Sequence, residues 1–176
     1  MTKRDRKDQL DIRVMPPRAK NGLVLFKACD WASLLQQAKK NNISRARVCT
    51  HMDNLSAVQE MLIAFMKDSY VRPHRHLGKS ESFYVIEGEL SVIFFDENGK
   101  ETDRVALSAS DSKKPFYFRG ERENWHTVLI ESEYAFIHET TTGPYEYDDR
   151  LLAPWAPAEG ESRQIHEFLA ELRKSP

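Results

Sequence analysis

Short apolar segments with period-two alternation run through the middle of the chain and are separated by turn residues. FYVIEGEL (residues 83–90) and LSVIFFD (residues 90–96) are rich in aromatic and β-branched residues, which favour strands. We predict a tight turn between them at Glu87-Gly88 and another at residues 97–99. Further strands are predicted at residues 46–51, 61–66, 103–108, 116–120, 126–132 and 134–141. Many short strands with regular turns predict an all-β barrel or sandwich.

Two stretches near the ends have helical periodicity instead. The first is predicted to begin with Asp30 as its N-cap and to run to about Lys40, and LVLFKA (residues 23–28) before it is compatible with a short edge strand. The second runs from Glu161 to Lys174 and carries a clear apolar face. Its apolar side chains are Ile165, Phe168, Leu169 and Leu172. We expect both helices to pack against the β-domain.

The chain divides into three parts on this pattern. Residues 1–22 are polar and aperiodic, so we predict a flexible N-terminal arm. Residues 23–160 form the barrel domain, including its N-terminal helix, and residues 161–176 form a helix packed on the barrel or on a partner subunit. The proline-rich segment 143–157 cannot form a central strand, because proline lacks the backbone donor. We expect it to cross the barrel surface or its mouth.

Composition narrows the class of protein. The 176 residues suit a single domain with a real core, and 40% hydrophobic with 30% charged residues is typical of a globular protein. A formal net charge of −1 argues against a nucleic-acid binder, and no apolar stretch is long enough to span a membrane. The N-terminus lacks the apolar region of a secretory signal, and the two cysteines, Cys29 and Cys49, suit a reducing compartment. These features predict a cytoplasmic protein.

The segment PHRHLGKSESFYVIEGEL carries the clearest chemical pattern. His74 and His76 are separated by one residue, so on a strand their side chains project to the same side. Glu81 follows five residues later and can return on a neighbouring segment of a bent sheet. Two imidazoles and a carboxylate form a ligand set for a divalent transition metal.

The order His-x-His, Glu and then Gly88 resembles the first motif of the cupin superfamily, which implies a cupin-type double-stranded β-helix barrel of the jelly-roll kind with flanking helices. Cupins supply one more histidine from a later strand, and here His126 in NWHTVLIESE is the matching candidate. The usual second motif would have proline and glycine where this chain has Glu121 and Glu123, and asparagine where it has Ile130.

A more specific resemblance is to the WbuC family of cupin-fold metalloproteins, found among bacterial surface-polysaccharide genes. It lies in YVRPHRH (residues 70–76), NWHTV (124–128) and GPYEYDDRLLAPWAPAEGE (143–161), and it covers roughly residues 43–161. The resemblance implies a cytoplasmic metal-binding cupin, and cupin-like barrels frequently form homodimers.

We therefore expect His74, His76, Glu81 and His126 to bind one divalent metal. Four protein ligands leave one or two positions of an octahedral ion open for a small molecule. Mixed nitrogen and oxygen donors suit Fe(II), Mn(II), Ni(II), Co(II) or Zn(II), and the sequence does not choose among them. The alternative is a barrel that holds no metal, in which the histidines hydrogen-bond to one another or to water.

Three more residues are candidates for ligand binding. Arg72 and Tyr70 share strand parity with His74, so we predict that they face the cavity, where Arg72 could bind a carboxylate or phosphate. The alternative for Arg72 is an ion pair at the barrel rim. His138 lies in an apolar strand as a candidate proton shuttle, although a histidine there can equally be structural.

The predicted function is that of a metal-dependent enzyme, of oxygenase or isomerase type, on a small polar, anionic or sugar-derived molecule. The link to surface polysaccharides rests on the family resemblance alone. A second hypothesis is a non-catalytic module that binds a metal and a small ligand, for example as a sensor. A third, metal-free sugar epimerisation, fits the His-x-His and Glu spacing less well.

Overall fold

The structure is a computed structural model that describes residues 13–14, 22–120, 123–146 and 150–174. Most of the predicted N-terminal arm, residues 1–22, lies outside the described residues. The described part contains nine strands and two helices. In chain order they are β1 (Arg13–Val14), α1 (Ala28–Lys40), β2 (Arg45–Cys49), β3 (Val58–Met66), β4 (His74–His76), β5 (Glu81–Phe95), β6 (Glu101–Ser108), β7 (Tyr117–Gly120), β8 (Trp125–Thr142), β9 (Arg150–Leu152) and α2 (Ser162–Leu172).

The strands form one curled, half-barrel sheet. One path runs in the order β1-β2-β3-β8-β4-β9, and β5 joins it by pairing with β8, β6 and β7. Only the β1–β2 pair is parallel among these strands. The predicted fold class, an all-β barrel with an N-terminal and a C-terminal helix, is confirmed. Apolar side chains from β3, β5 and β8 fill the interior, among them Ile63, Val92 and Ile130.

Strand β5 is longer than the sequence pattern predicts. The predicted turn at Glu87-Gly88 is wrong, because the chain stays extended from Glu81 to Phe95 and only bulges there. Gly88 has a φ of +83°, and a Cβ at this position would lie 2.3 Å from the carbonyl oxygen of Tyr134. A glycine is required for this close approach, which lets β5 bend across the barrel.

Strand β8 likewise joins two predicted strands into one of 18 residues. Its first half pairs with the second half of β5, in register pairs such as Val92 with Val128. Its second half lies between β3 and the first half of β5, with Ile137 opposite both Ile63 and Val85. This strand therefore connects the two halves of the barrel.

Helix α1 begins before its predicted cap. Its first residue is Ala28 and its N-cap is Lys27, so the predicted edge strand at residues 23–28 is wrong and Asp30 is the third helical residue. The Asp30 carboxylate accepts a hydrogen bond from the Lys27 amide at 2.8 Å, which anchors the start of the helix. The predicted end at Asn41 is confirmed. Buried Leu34 packs on the outer side of the sheet.

Helix α2 packs against the opposite part of the sheet. Its buried residues Leu169 and Leu172 contact an apolar cluster that includes Ile93 of β5 and Leu129 of β8. The proline-rich segment contributes Trp155 to the same cluster and crosses the barrel surface there. Within the described part of the chain, neither helix has the length and apolar character of a transmembrane span.

Candidate metal centre

Four side chains from three strands meet on the inner side of the sheet. His74 and His76 lie on β4, Glu81 begins β5, and His126 lies near the start of β8. Each offers one donor atom, and all four of these atoms lie within 4.8 Å of one another. His74 pairs directly with His126 across β4 and β8, which brings a local His-x-His motif next to a histidine 50 residues away.

The imidazole rings are held by backbone carbonyls. The Nδ1 atom of His74 lies 2.9 Å from the carbonyl oxygen of Arg72, and Nδ1 of His126 lies 3.0 Å from that of Asn124. A carbonyl only accepts hydrogen bonds, so each Nδ1 carries a proton. On His74 this leaves Nε2 with a free electron pair, whereas Nε2 of His126 donates to the Glu81 carboxylate and must lose that proton before it can bind a metal. The contact from Nδ1 to a carbonyl is the arrangement in which metal-binding histidines are usually oriented by their second nitrogen.

Glu81 lies between two of the rings. Its Oε2 atom is 3.0 Å from Nε2 of His126, and its Oε1 atom is 3.5 Å from Nε2 of His76. The contact with His76 does not have hydrogen-bond geometry, and this buried Nε2 has no hydrogen-bond partner among the described residues. A buried nitrogen without a partner is costly, and a cation shared by these donors would remove that cost.

Burial and the neighbouring charges set the protonation of the cluster. Burial, together with the nearby His126 and His76 rings, holds the pKa of His74 well below its usual value. Burial by itself raises the pKa of Glu81, but the contacts with His126 and His76 outweigh it, and the carboxyl pKa lies below its usual range. Burial also opposes the charged form of His126, and the hydrogen bond with Glu81 overcomes this and raises its pKa.

The cluster fits a divalent metal ion. It combines three imidazoles with one ionised carboxylate, three of the four side chains are buried, and the donor atoms converge on one point. Four protein donors leave positions of an octahedral ion for other ligands, which separates such a site from a closed structural one. The donor set suits several transition metals and does not select one of them.

The four side chains line one cavity of about 120 Å³. Its wall is apolar on β3, β5 and β8, where Ile63, Phe83 and Val128 contribute. Charged side chains surround this apolar part. The described basic residues of the wall, besides the histidines, are Arg45, Arg47, Lys79 and Arg150, and the acidic ones, besides Glu81, are Glu139 and Glu146.

The structure does not place Arg72 and Tyr70 at the cavity. Arg72 donates a hydrogen bond from Nη2 to the carbonyl oxygen of Ala153 at 2.8 Å, and the hydroxyl of Tyr70 donates to that of Pro157 at 2.8 Å. Both residues precede β4, where the chain is not a strand, so the parity of His74 does not extend to them. The predicted orientation of these two side chains is therefore wrong.

His138 is also outside the cavity. It lies on β8 with parity opposite to that of Ile137 and Glu139, which line the cavity, and its Nε2 is 3.6 Å from a carboxylate oxygen of Glu60. Because β8 is continuous, every second residue of it lies on the outer face, and His138 is one of these. Some of the apolar residues beside His138 in the sequence also lie on the outer face. The interpretation as a cavity proton shuttle is wrong, and the structural alternative fits.

Sequence reasoning missed several cavity residues. Arg45, Arg47 and His51 line it from β2 and the following turn, Glu139 from β8, and Arg150 from β9. The sequence of β2 does show alternation, because Ala46 and Val48 are apolar and pack under α1. From this alternation one would expect Arg45 and Arg47, on the other face, to point into solvent. Only the curl of the sheet makes the face that carries these arginines a wall of the cavity.

Comparison with known proteins supports the fold and leaves the activity open. Residues 26–107, less than half of the chain, match the family model DUF6016, described as a domain of unknown function. No curated protein matches this chain. Protein SO0799 from Shewanella oneidensis is similar in structure, with a TM-score of 0.56 and 12% identity over 85% of this chain and 97% of that one.

Two further solved structures show weaker overlap. A cupin superfamily protein from Desulfitobacterium hafniense has a TM-score of 0.43 and 13% identity over 56% of this chain and 76% of that one. KdgF from Halomonas sp. has a TM-score of 0.43 and 15% identity over 59% of this chain and 82% of that one. At these identities the similarity concerns the cupin-like fold alone. A closer relation to the WbuC family is not among these findings.

Proposed function

We propose that the protein is a cupin-fold metalloenzyme that binds one divalent metal through His74, His76, Glu81 and His126. The observation that carries this proposal is the convergence of four donor atoms within 4.8 Å at the wall of a cavity. Two of the imidazoles are already oriented by carbonyl oxygens. A metal that binds there needs little rearrangement of the protein, which favours affinity.

The proposed reaction is of oxygenase or isomerase type on a small polar or sugar-derived molecule. A divalent ion supplies Lewis-acid chemistry, or redox chemistry if it is iron or manganese. The chain itself supplies a partly apolar cavity wall through Ile63, Phe83 and Val128, which strengthens electrostatic interactions with a molecule bound against it. The resemblance to the WbuC family supports a sugar-derived substrate.

Glu139 supports an enzyme over a simple binding module. It lines the cavity but lies outside the four-residue cluster, and its charge acts on His126. It also faces inward between Met61 and Phe83 on the neighbouring strands. We propose that this carboxylate accepts or donates a proton on the bound molecule, as a general acid–base group must do from within reach of the substrate.

Elemental analysis of the purified protein tests the metal. We expect one divalent ion per chain in the wild type and less than one tenth of that in His76→Ala, because one of four ligands is removed. His166→Ala is the matched control, since this histidine is exposed on α2. A wild-type protein that binds no transition metal after purification and after reconstitution would overturn the proposal.

Turnover separates the enzyme from the alternative, a non-catalytic metal and ligand module. Small hydroxy- and keto-acids and sugar derivatives are incubated with the metal-loaded protein, with and without dioxygen. Consumption that is lost about 100-fold or more in Glu139→Gln, with unchanged metal content, supports the enzyme and the role of this carboxylate. Binding without consumption of any compound supports the module instead.

The assembly and the location are proposals as well. The cupin resemblance supports a homodimer, and light scattering of the purified protein measures its mass against the 20.5 kDa of one chain. The WbuC resemblance supports a cytoplasmic protein. Fractionation of cells that express the tagged chain tests this location.

A further inference from the structure

Arg150 lies beside the candidate metal centre. It lies on the edge strand β9, which pairs with β4, and its register partner is His76. Directly paired residues of antiparallel strands project to the same side of the sheet, with Cβ atoms about 4.5–5.5 Å apart. Arg150 therefore lines the same cavity as the cluster, and its charge contributes to the environment of His74.

The guanidinium of Arg150 differs from the other arginines near this sheet in its partners. Arg72 donates to the carbonyl oxygen of Ala153, and Arg75 pairs with Glu97 at 2.8 Å. Across the described ranges of the chain, by contrast, no carboxylate or carbonyl oxygen pairs with Arg150. A planar fork of donors directed into a cavity matches the geometry of a carboxylate on a bound molecule.

The distance from the guanidinium to the cluster limits the molecule. The cavity has a volume of about 120 Å³, which gives a small organic molecule room beside the four side chains. Because Arg150 pairs directly with His76, a ligand that contacts both the guanidinium and the cluster needs a carboxylate and a second oxygen only a few bonds apart, which fits a short acid. The apolar wall at Ile63 and Phe83 further favours a compact organic molecule over a free inorganic ion.

We propose that Arg150 determines the specificity of the site for a small hydroxy- or keto-carboxylate. Its guanidinium binds the carboxylate, and the adjacent hydroxyl or carbonyl oxygen faces the cluster of three histidines and Glu81. This inference rests on the proposed function, because the oxygen next to the carboxylate needs the metal as its partner. It narrows the substrate class from any small polar molecule to short acids that chelate.

Calorimetric titration of the metal-loaded protein tests this assignment with two probes, glycolate and its uncharged counterpart glycolamide. We expect glycolate to bind at least ten-fold more tightly than glycolamide to the wild type. Arg150→Gln is expected to weaken glycolate binding by about 10- to 100-fold with little effect on glycolamide, because a charge-assisted pair is lost. Arg150→Lys keeps the charge without the fork and is expected to give an intermediate loss.

Arg163→Gln is the matched control, since this side chain is 90% exposed on α2 and does not line the cavity. It is expected to bind both probes as the wild type does. Equal binding of glycolate and glycolamide, absence of glycolate binding, or unchanged binding in Arg150→Gln each overturns the inference. Tighter binding of inorganic phosphate than of glycolate overturns it too.

Metal content separates this inference from the proposed function. It is measured on every variant, and Arg150→Gln is expected to retain the metal of the wild type because Arg150 is not a ligand. A protein that binds metal but does not prefer glycolate rejects the role of Arg150 and leaves the metal site standing. A protein without metal rejects the proposed function, whatever the result of the titration.

Discussion

Around β4 and β8, the two faces of the sheet carry different kinds of side-chain contact, although the residues involved are neighbours in the sequence. On the inner face, His74 and His126 meet Glu81 beside a cavity. On the outer face, Arg75 stacks 4.4 Å above the Trp125 ring and pairs with Glu97. Alternation along a strand separates these faces at every residue, so the packing contacts and the candidate metal ligands are different side chains of the same strands.

On the outer face, the side chains are mostly involved in packing. Ile93 and Leu129 are fully buried there against α2, and the Trp125 indole donates to the carboxylate of Glu97 at 3.0 Å. The inner face at the same level keeps polar groups instead, with a nitrogen of His76 that has no hydrogen-bond partner in the described part of the chain. Polar groups that are not optimised for stability mark functional sites. The comparison predicts that substitutions on the two faces have separable effects.

The largest effect on folding is expected from the outer face. Ile93→Ala removes a fully buried side chain between β5 and α2 and should lower the free energy of unfolding by about 2–5 kcal/mol. Chemical denaturation measures this change, and metal content per folded chain should stay at the wild-type value. Loss of metal together with stability would show that the two faces are not independent.

Removal of the metal is expected to have the next largest effect. If the ion is present at 100 times its dissociation constant, chelation should lower the free energy of unfolding by about 2.7 kcal/mol, because the ion binds only the folded chain. Thermal unfolding with and without EDTA measures the difference. His126→Ala should show no such difference, since it lacks a ligand. An equal effect of EDTA on both proteins would place the stabilising ion elsewhere.

The smallest effect is expected from Arg75, the outer neighbour of the two histidines. Arg75→Gln removes a cation–π contact and a mostly exposed ion pair, so we expect a loss of about 0.5–1.5 kcal/mol in the free energy of unfolding. Glycolate affinity should not change, in contrast to Arg150→Gln. A loss of glycolate binding in Arg75→Gln would contradict the assignment of this side chain to the outer face.

Alternation and turn residues predicted most of the strands and both helices of the described chain. The errors occur where a local sequence pattern is compatible with two different backbone structures. Glu87-Gly88 has the composition of a turn, but in β5 the glycine serves a bulge against the backbone of Tyr134. Asp30 has the composition of an N-cap, but it binds the Lys27 amide from inside the helix.

The predictions for the candidate site were also correct in one part and wrong in another. His74, His76 and Glu81 lie within eight residues of sequence, so local geometry and the cupin resemblance were enough to predict that they lie close together. Parity could not be extended to Arg72 and Tyr70, because they lie before β4 rather than in it.

Periodicity and short spacing in the amino-acid sequence were enough to predict the strand-rich class, the two flanking helices and the ligands His74, His76 and Glu81, and the cupin resemblance added His126. Only the tertiary structure decided which arginines reach the cavity and that His126 pairs with His74. Those contacts depend on the curl of the sheet and on the register between strands far apart in the chain, and no local pattern encodes either.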